Sequence, residues 1–198
     1  MDRTLNPEML DSSPTKQFAL WFDEVVAAGL PEPNAMVLTT SGTGEGPHAR
    51  TVLLKAHSDE GFTFYTNRTS RKGRDLAADP RCCALFPWYG IGRQVTVEGV
   101  TRQLSTEESE PYFHSRPWLS QISAWASRQS SVLASRAELD GRARLSRYVK
   151  ENVNEGSLTS RRLLKQQDIA QVAQVLTMQR CAWLAGIHIN SRLPQVVR

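Results

Sequence analysis

The segment Ser70-Arg71-Lys72-Gly73-Arg74 puts cations where a helix would begin. Ser70 is a good N-cap for a helix over 71–78, and cations in a first turn face the positive end of the helix dipole, which costs about a few tenths of a kcal/mol each. An anion bound there reverses that cost, because free backbone N–H groups and two cations converge on it. Side chains extended into water are the plainer alternative. Arg50-Thr51-Val52-Leu53-Leu54-Lys55 adds two more cations, on a strand. Positions 50 and 55 differ in parity, so on a regular strand they face opposite sides. One phosphate held by both needs a bulge, or a ligand that reaches around the strand end.

Tyr112-Phe113-His114-Ser115-Arg116-Pro117 closes a helix expected from Thr106. Tyr112 and Arg116 are four apart and would share its face. Arg116 with Ser120 offers guanidinium and hydroxyl donors suited to a second phosphate. Arg128-Gln129-Ser130-Ser131 is a run of hydrogen-bonding side chains that by itself reads as a cap or a loop. The glycine-rich turn at 41–46 joins two strands and lacks a following Lys-Ser/Thr, so nucleoside triphosphate binding is not expected. No nucleophile elbow is present. Cys82 and Cys83 are neighbours and would point to opposite faces of a strand, Cys181 is distant, and the four histidines are scattered. No metal site follows from that spacing. Reduced structural thiols in a cytoplasmic protein are the expectation.

These residues need elements to hold them. Ser13 and Pro14 open a helix whose apolar stripe is Phe18, Trp21, Phe22, Val25 and Val26, and Gly29 ends it. Strands are expected over 35–40, 49–57 and 61–67, joined by short turns, then over 82–87 and 93–103. No long helix separates them, so a parallel doubly wound sheet is disfavoured and a small barrel is favoured. Ser105 with Glu108 and Ser135 with Glu138 fit the capping-box pattern, opening helices over 106–115 and 136–153. A short helix is expected over 120–127. The fold class is therefore mainly β with added helices, α+β.

Composition sets the outer bounds. The 198 residues are 40% apolar and 22% charged, an ordinary globular mixture for one core. No apolar run approaches the roughly 18 residues of a membrane helix, and the N-terminal charges are not followed by a hydrophobic stretch, so neither membrane nor secretory signal is expected. The net charge of +4 is uneven: residues 1–135 carry 13 Lys and Arg against 15 Asp and Glu, residues 136–198 carry 11 against 5. A solvated helical surface accounts for the basic third more simply than nucleic acid does.

Eight stretches together resemble the pyridoxine (pyridoxamine) 5′-phosphate oxidase family. They are Glu32-Pro33-Asn34-Ala35-Met36, Arg50 to Lys55, Phe64-Tyr65-Thr66-Asn67, Ser70-Arg71-Lys72-Gly73, Phe86-Pro87-Trp88-Tyr89, Arg93-Gln94-Val95, Tyr112 to Pro117 and Gln129-Ser130-Ser131. They run in the family's order and spacing over about residues 14–148. The resemblance implies an FMN-binding split β-barrel over 1–150, a homodimer with flavin sites at its interface, and dioxygen-dependent oxidation of a phosphorylated B6 vitamer to pyridoxal 5′-phosphate. Carried over by position, Arg50, Thr51, Val52, Leu53, Leu54, Lys55, Tyr65, Thr66, Arg71, Lys72 and Gln94 look like FMN contacts. Gln129 and Ser130 resemble contacts given by the partner subunit. Lys55, Tyr112, Arg116 and Ser120 look like ligands of the substrate phosphate and ring.

After about residue 150 the resemblance stops. The family's Trp-Gly-Gly-aromatic, Glu-Phe-Trp-Gln-Gly and Arg-x-His-Asp-Arg stretches are absent. In their place stand Ser160 to Asp168 and then Ile169, Val172, Val175 and Leu176 at helical spacing. The expectation is a divergent helical segment over 151–198 and a barrel left incomplete at its C-terminus. A frameshift, alternative splicing and natural divergence all fit such a tail. Another FMN-dependent oxidoreductase, or a catalytically impaired flavin- or pyridoxal-phosphate-binding module, are the competing functions.

Overall fold

The computed structural model describes residues 7–42, 44, 46–117, 120, 121, 124, 129–138, 140–142, 144 and 184–191. After a short 3-10 turn the elements are α1 (Pro14–Ala27), β1 (Ala35–Thr40), β2 (His48–Ser58), β3 (Gly61–Asn67), α2 (Arg71–Ala78), β4 (Arg81–Trp88), β5 (Arg93–Gln103), α3 (Thr106–Ser115) and β6 (Leu184–Ser191). Their origins are local. Ser13 Oγ accepts from Lys16 N at 3.4 Å beside Pro14 in the first turn, and Gly29 leaves α1 at φ +67°. At α3 the full capping box forms: Ser105 Oγ accepts from Glu108 N, and the Glu108 carboxylate accepts from Ser105 N at 2.7 Å. The second such pattern forms by half. Ser135 Oγ accepts from Glu138 N at 3.2 Å, while the Glu138 carboxylate takes Ala134 N.

The strands close into a barrel in the order β1-β2-β3-β6-β5-β4. The pairs β1–β2, β1–β4, β2–β3, β4–β5 and β5–β6 are antiparallel. In β2–β3 the register shifts between Leu54, opposite Phe64, and Ala56, opposite Thr63, so Lys55 is the extra residue of a β-bulge. Lys55 is nonetheless exposed while Arg50 is half-buried, so the bulge does not bring the two cations to one side. Burial alternates along β1 and β4, as barrel strands with one inward face require.

The barrel is not left incomplete. Gly99 to Gln103 of β5 pair with Ser191 to Ile187 of β6, and β6 is also the neighbour of β3. The tail therefore does restore strand hydrogen bonds, against the expectation above, and the described part of 151–198 is a strand. Ile187 and Ile189 are buried two apart, the period of a half-buried strand. That signal is short and stands beside the helical spacing of Ile169 to Leu176, which lies outside the described residues.

The described residues form two compact units. Those of Met1–Thr66, Lys72–Leu104 and Gly186–Arg198 make the barrel unit, and those of Asn67–Arg71 and Ser105–Ala185 the other. In the barrel unit α1 supplies an aromatic plug. Phe18 is 1% exposed, edge-on to Phe62 at 4.8 Å and Phe86 at 5.0 Å, and beside Trp88 at 5.4 Å. Edge-to-face aromatic pairs add about 0.5–1.5 kcal/mol each beyond the area they bury. Trp21 and Val25 complete the buried stripe, but Val26 is 52% exposed and does not belong to it. Arg93 lies over the Trp21 ring at 4.8 Å and pairs with Glu24 at 3.0 Å, tying α1 to the start of β5. Among the described residues no helix is long and apolar enough to cross a membrane.

Candidate functional site

One of the cations read from the sequence, Arg50, stands against a buried carboxylate. Asp75 of α2 is fully buried, a position that an aspartate occupies only when partnered. Its Oδ2 accepts from Thr40 Oγ1 of β1 at 2.8 Å and lies 3.6 Å from Arg50 Nη2 of β2. Arg50 Nη1 in turn donates to Thr40 Oγ1 at 2.6 Å and to the Leu38 carbonyl at 3.3 Å. The two strands and the helix thus meet at one guanidinium. His48 Nδ1 stands 4.0 Å from the same carboxylate oxygen.

Lys72 opens α2 next to Arg71 and is partly buried. Burial first, and the nearby Arg50 charge second, lower its pKa from the ordinary 10.5. Two cations held close together in a half-dry place are chemically matched to an anion. Ser70, fully buried, donates its hydroxyl to the Asn67 carbonyl at 2.6 Å, so the chain enters α2 through a fixed turn.

The bulge at Lys55 is pinned from the other side. Asn34 Nδ2 donates to the Leu54 carbonyl at 3.0 Å, and Leu54 N donates to the Asn34 carbonyl at 2.8 Å. Trp88 Nε1 donates to Pro33 O at 3.0 Å and fixes the turn that carries Asn34. On β2, Arg50, Val52 and Leu54 face inward to differing depths, whereas Thr51, Leu53 and Lys55 are exposed. Thr66 is buried on β3, Tyr65 half-buried beside it, and Gln94 half-buried on β5 opposite Pro87. Asn34 and Asp75 support the candidate site residues, a role that the sequence reading did not give them: hydrogen bonds to Leu54 reveal the one, burial against Thr40 and Arg50 the other.

In the other unit Arg116 is the C-cap of α3, with extended backbone at φ −72° and ψ 147°. It lies past the helical turn, so the shared helix face expected for Tyr112 and Arg116 stops at Ser115. Gln121, buried, donates from Nε2 to the Arg116 carbonyl at 2.8 Å and the His114 carbonyl at 3.3 Å, which fixes the bend leading to Ser120. Gln129 and Ser130 lie exposed in a turn, Ser130 at φ +59°. Burial lifts the Cys82 thiol to about 12 and raises Cys83 as well, so neither is a poised nucleophile.

Residues 22–150 match the family described as pyridoxamine 5′-phosphate oxidase. The chain belongs to that family. A pyridoxine/pyridoxamine 5′-phosphate oxidase of Bordetella petrii is 52% identical over 139 residues, 70% of this chain and 66% of the relative. One of Thermosynechococcus vestitus is 52% identical over 141 residues, 71% of this chain and 67% of the relative. The match to the Bordetella relative thus spans slightly less than two thirds of its length. The fold is that of PhzG from Burkholderia lata 383, solved in complex with tetrahydrophenazine-1-carboxylic acid, at TM-score 0.72 and 22% identity over 96% of this chain and 82% of that one. The α+β split-barrel fold expected from the sequence is the fold of this chain. Every candidate residue from Arg50 to Ser130 falls inside the matched segment.

Proposed function

We propose that the chain binds FMN and oxidises pyridoxine 5′-phosphate or pyridoxamine 5′-phosphate to pyridoxal 5′-phosphate, releasing hydrogen peroxide, as a cytoplasmic homodimer. The observation that supports this most is the half-buried Lys72 beside Arg50, a donor set suited to a phosphate dianion. When bound, FMN supplies the acceptor for the hydride leaving the substrate and is reoxidised by dioxygen. The chain's own residues do the rest. Arg71 and Lys72 hold the flavin phosphate at the first turn of α2. Arg50 to Lys55, Tyr65, Thr66 and Gln94 line the flavin, and Gln129 and Ser130 reach it from the partner subunit. Lys55, Tyr112, Arg116 and Ser120 orient the substrate phosphate and ring. In this reading Arg50 and Lys55 serve different parts of one flavin–substrate stack, and the bulge at Lys55 is what divides them.

A second reading, a catalytically impaired flavin-binding module, is favoured by the missing C-terminal stretches. In the family that segment brings a Trp and an Arg toward FMN and an Arg and a His over the substrate. Turnover of pyridoxine 5′-phosphate with peroxide release by the purified protein tests the oxidase. Protein that holds FMN and forms no product would sink the oxidase and keep the binding module.

A further inference from the structure

We infer that Asp75 is a positioning residue for flavin phosphate binding: through Thr40 it fixes the Arg50 guanidinium beside Lys72. The inference rests on the FMN reading above and extends it to a residue outside the ligand-contacting set. The arrangement leaves little freedom. An aspartate carboxylate can only accept and a guanidinium can only donate, so the Thr40 hydroxyl accepts from Arg50 and donates to Asp75. Thr40 is 1% exposed and Asp75 fully buried, so water does not substitute for either bond.

Lys72 and Asp75 are three apart on α2 and share one face of it. Asp75 puts an anion on the face that carries Lys72, and Arg50 of β2 stands 3.6 Å from that carboxylate. Without the carboxylate, Arg50 and Lys72 repel, and a flexible guanidinium swings away from its neighbour. With it, both cations stay near one another before any ligand arrives, so the ligand need not bear the cost of gathering them. Charge alone predicts the opposite effect. A negative group near an anion site weakens anion binding through space, so positioning and simple electrostatics differ in sign.

Asp75→Asn keeps the shape and removes the charge. The test titrates the apoprotein with FMN and with riboflavin, following flavin fluorescence, alongside thermal melts. Positioning predicts FMN affinity lower by about tenfold or more, the scale of one charge-assisted interaction, with riboflavin affinity unchanged. Combined with Arg50→Gln, the double variant is expected to bind FMN no worse than Arg50→Gln alone. Thr40→Val, which removes only the relaying hydroxyl, should weaken FMN in the same selective way and stands in if Asp75→Asn fails to fold. Unchanged or tighter FMN binding in the folded variants overturns the inference, as does an equal loss for both flavins. If the unaltered chain takes up no FMN, the flavin reading itself falls first, and this one with it.

Discussion

Gly42 lies against the backbone of Asp75: a Cβ placed on it would stand 2.2 Å from the Asp75 carbonyl oxygen and 2.6 Å from its Cα. The loop after β1 therefore touches α2 where a side chain has no room, and the obstacle is backbone that cannot rotate aside. That carbonyl already accepts Asp79 N at 2.8 Å within the helix end. Gly42→Ala must push the loop or α2 outward. The expected cost is about 1–3 kcal/mol of stability, seen as a lower melting temperature. Because α2 carries Lys72, flavin affinity should fall with it. A melt unchanged within error would show that the contact relaxes freely.

The first turn of α2 gives the second prediction. Replacing both Arg71 and Lys72 with alanine should weaken FMN binding by a few kcal/mol, since two charge-assisted interactions of about 1.5–3 kcal/mol each are lost. The unaltered protein should also show a pH effect. The Lys72 pKa is held below 10.5, so its charge is lost earlier on raising pH than an ordinary lysine's. FMN affinity should therefore decline on the alkaline side before pH 10.5 is reached, and the decline should vanish in Lys72→Ala. Fluorescence titration across pH measures both.

How much of this was legible beforehand follows from which forces are local. Caps and turns were readable because Ser13, Ser105 and Gly29 act on residues within a few positions. The chain order of strands around the β1–β2–β3 hairpins follows from short connections. Closure by β6 was not legible, since its partner β5 is some eighty residues distant in the chain and two buried isoleucines make a weak pattern. The proposed phosphate anchors were readable because Arg71 and Lys72 stand at the first turn of α2, a local feature. The supports were not: Asp75 reads as a solvated helix residue, and Asn34 and Gln121 as loop polar groups, until burial and partners are known.

Arg116 distinguishes the two proposed ligand subsites. As the proposed anchor of the substrate phosphate, it should matter for substrate and not for flavin. Arg116→Ala is expected to raise the KM for pyridoxine 5′-phosphate by at least about tenfold, the worth of one bidentate charge-assisted contact, while FMN content stays full. Gln121→Ala should move KM in the same direction by a smaller factor, because Gln121 holds the Arg116 carbonyl rather than the ligand. Loss of flavin from Arg116→Ala would show that the subsites had been exchanged.

The tail closes the barrel, which makes β6 a determinant of stability. An open barrel would expose unpaired strand edges and invite aggregation. Here β6 pairs with β5 from Gly99 to Gln103, so the described barrel has no free edge between β3 and β5. Stability should depend on that strand. Ile189→Asp, placing a charge at a fully buried position, is expected to destabilise the fold by several kcal/mol, measured as a lower denaturant midpoint. Activity is a separate matter, because closing a barrel does not supply the family's substrate-covering Arg and His. A chimera carrying a family-type C-terminus from residue 151 onward should match the unaltered chain in melting temperature. It should exceed it in FMN retention and in turnover of pyridoxine 5′-phosphate, which the unaltered chain is expected to carry out slowly but measurably. Equal stability, flavin content and turnover in the two would mean that this tail is a working replacement and that the impaired reading is wrong.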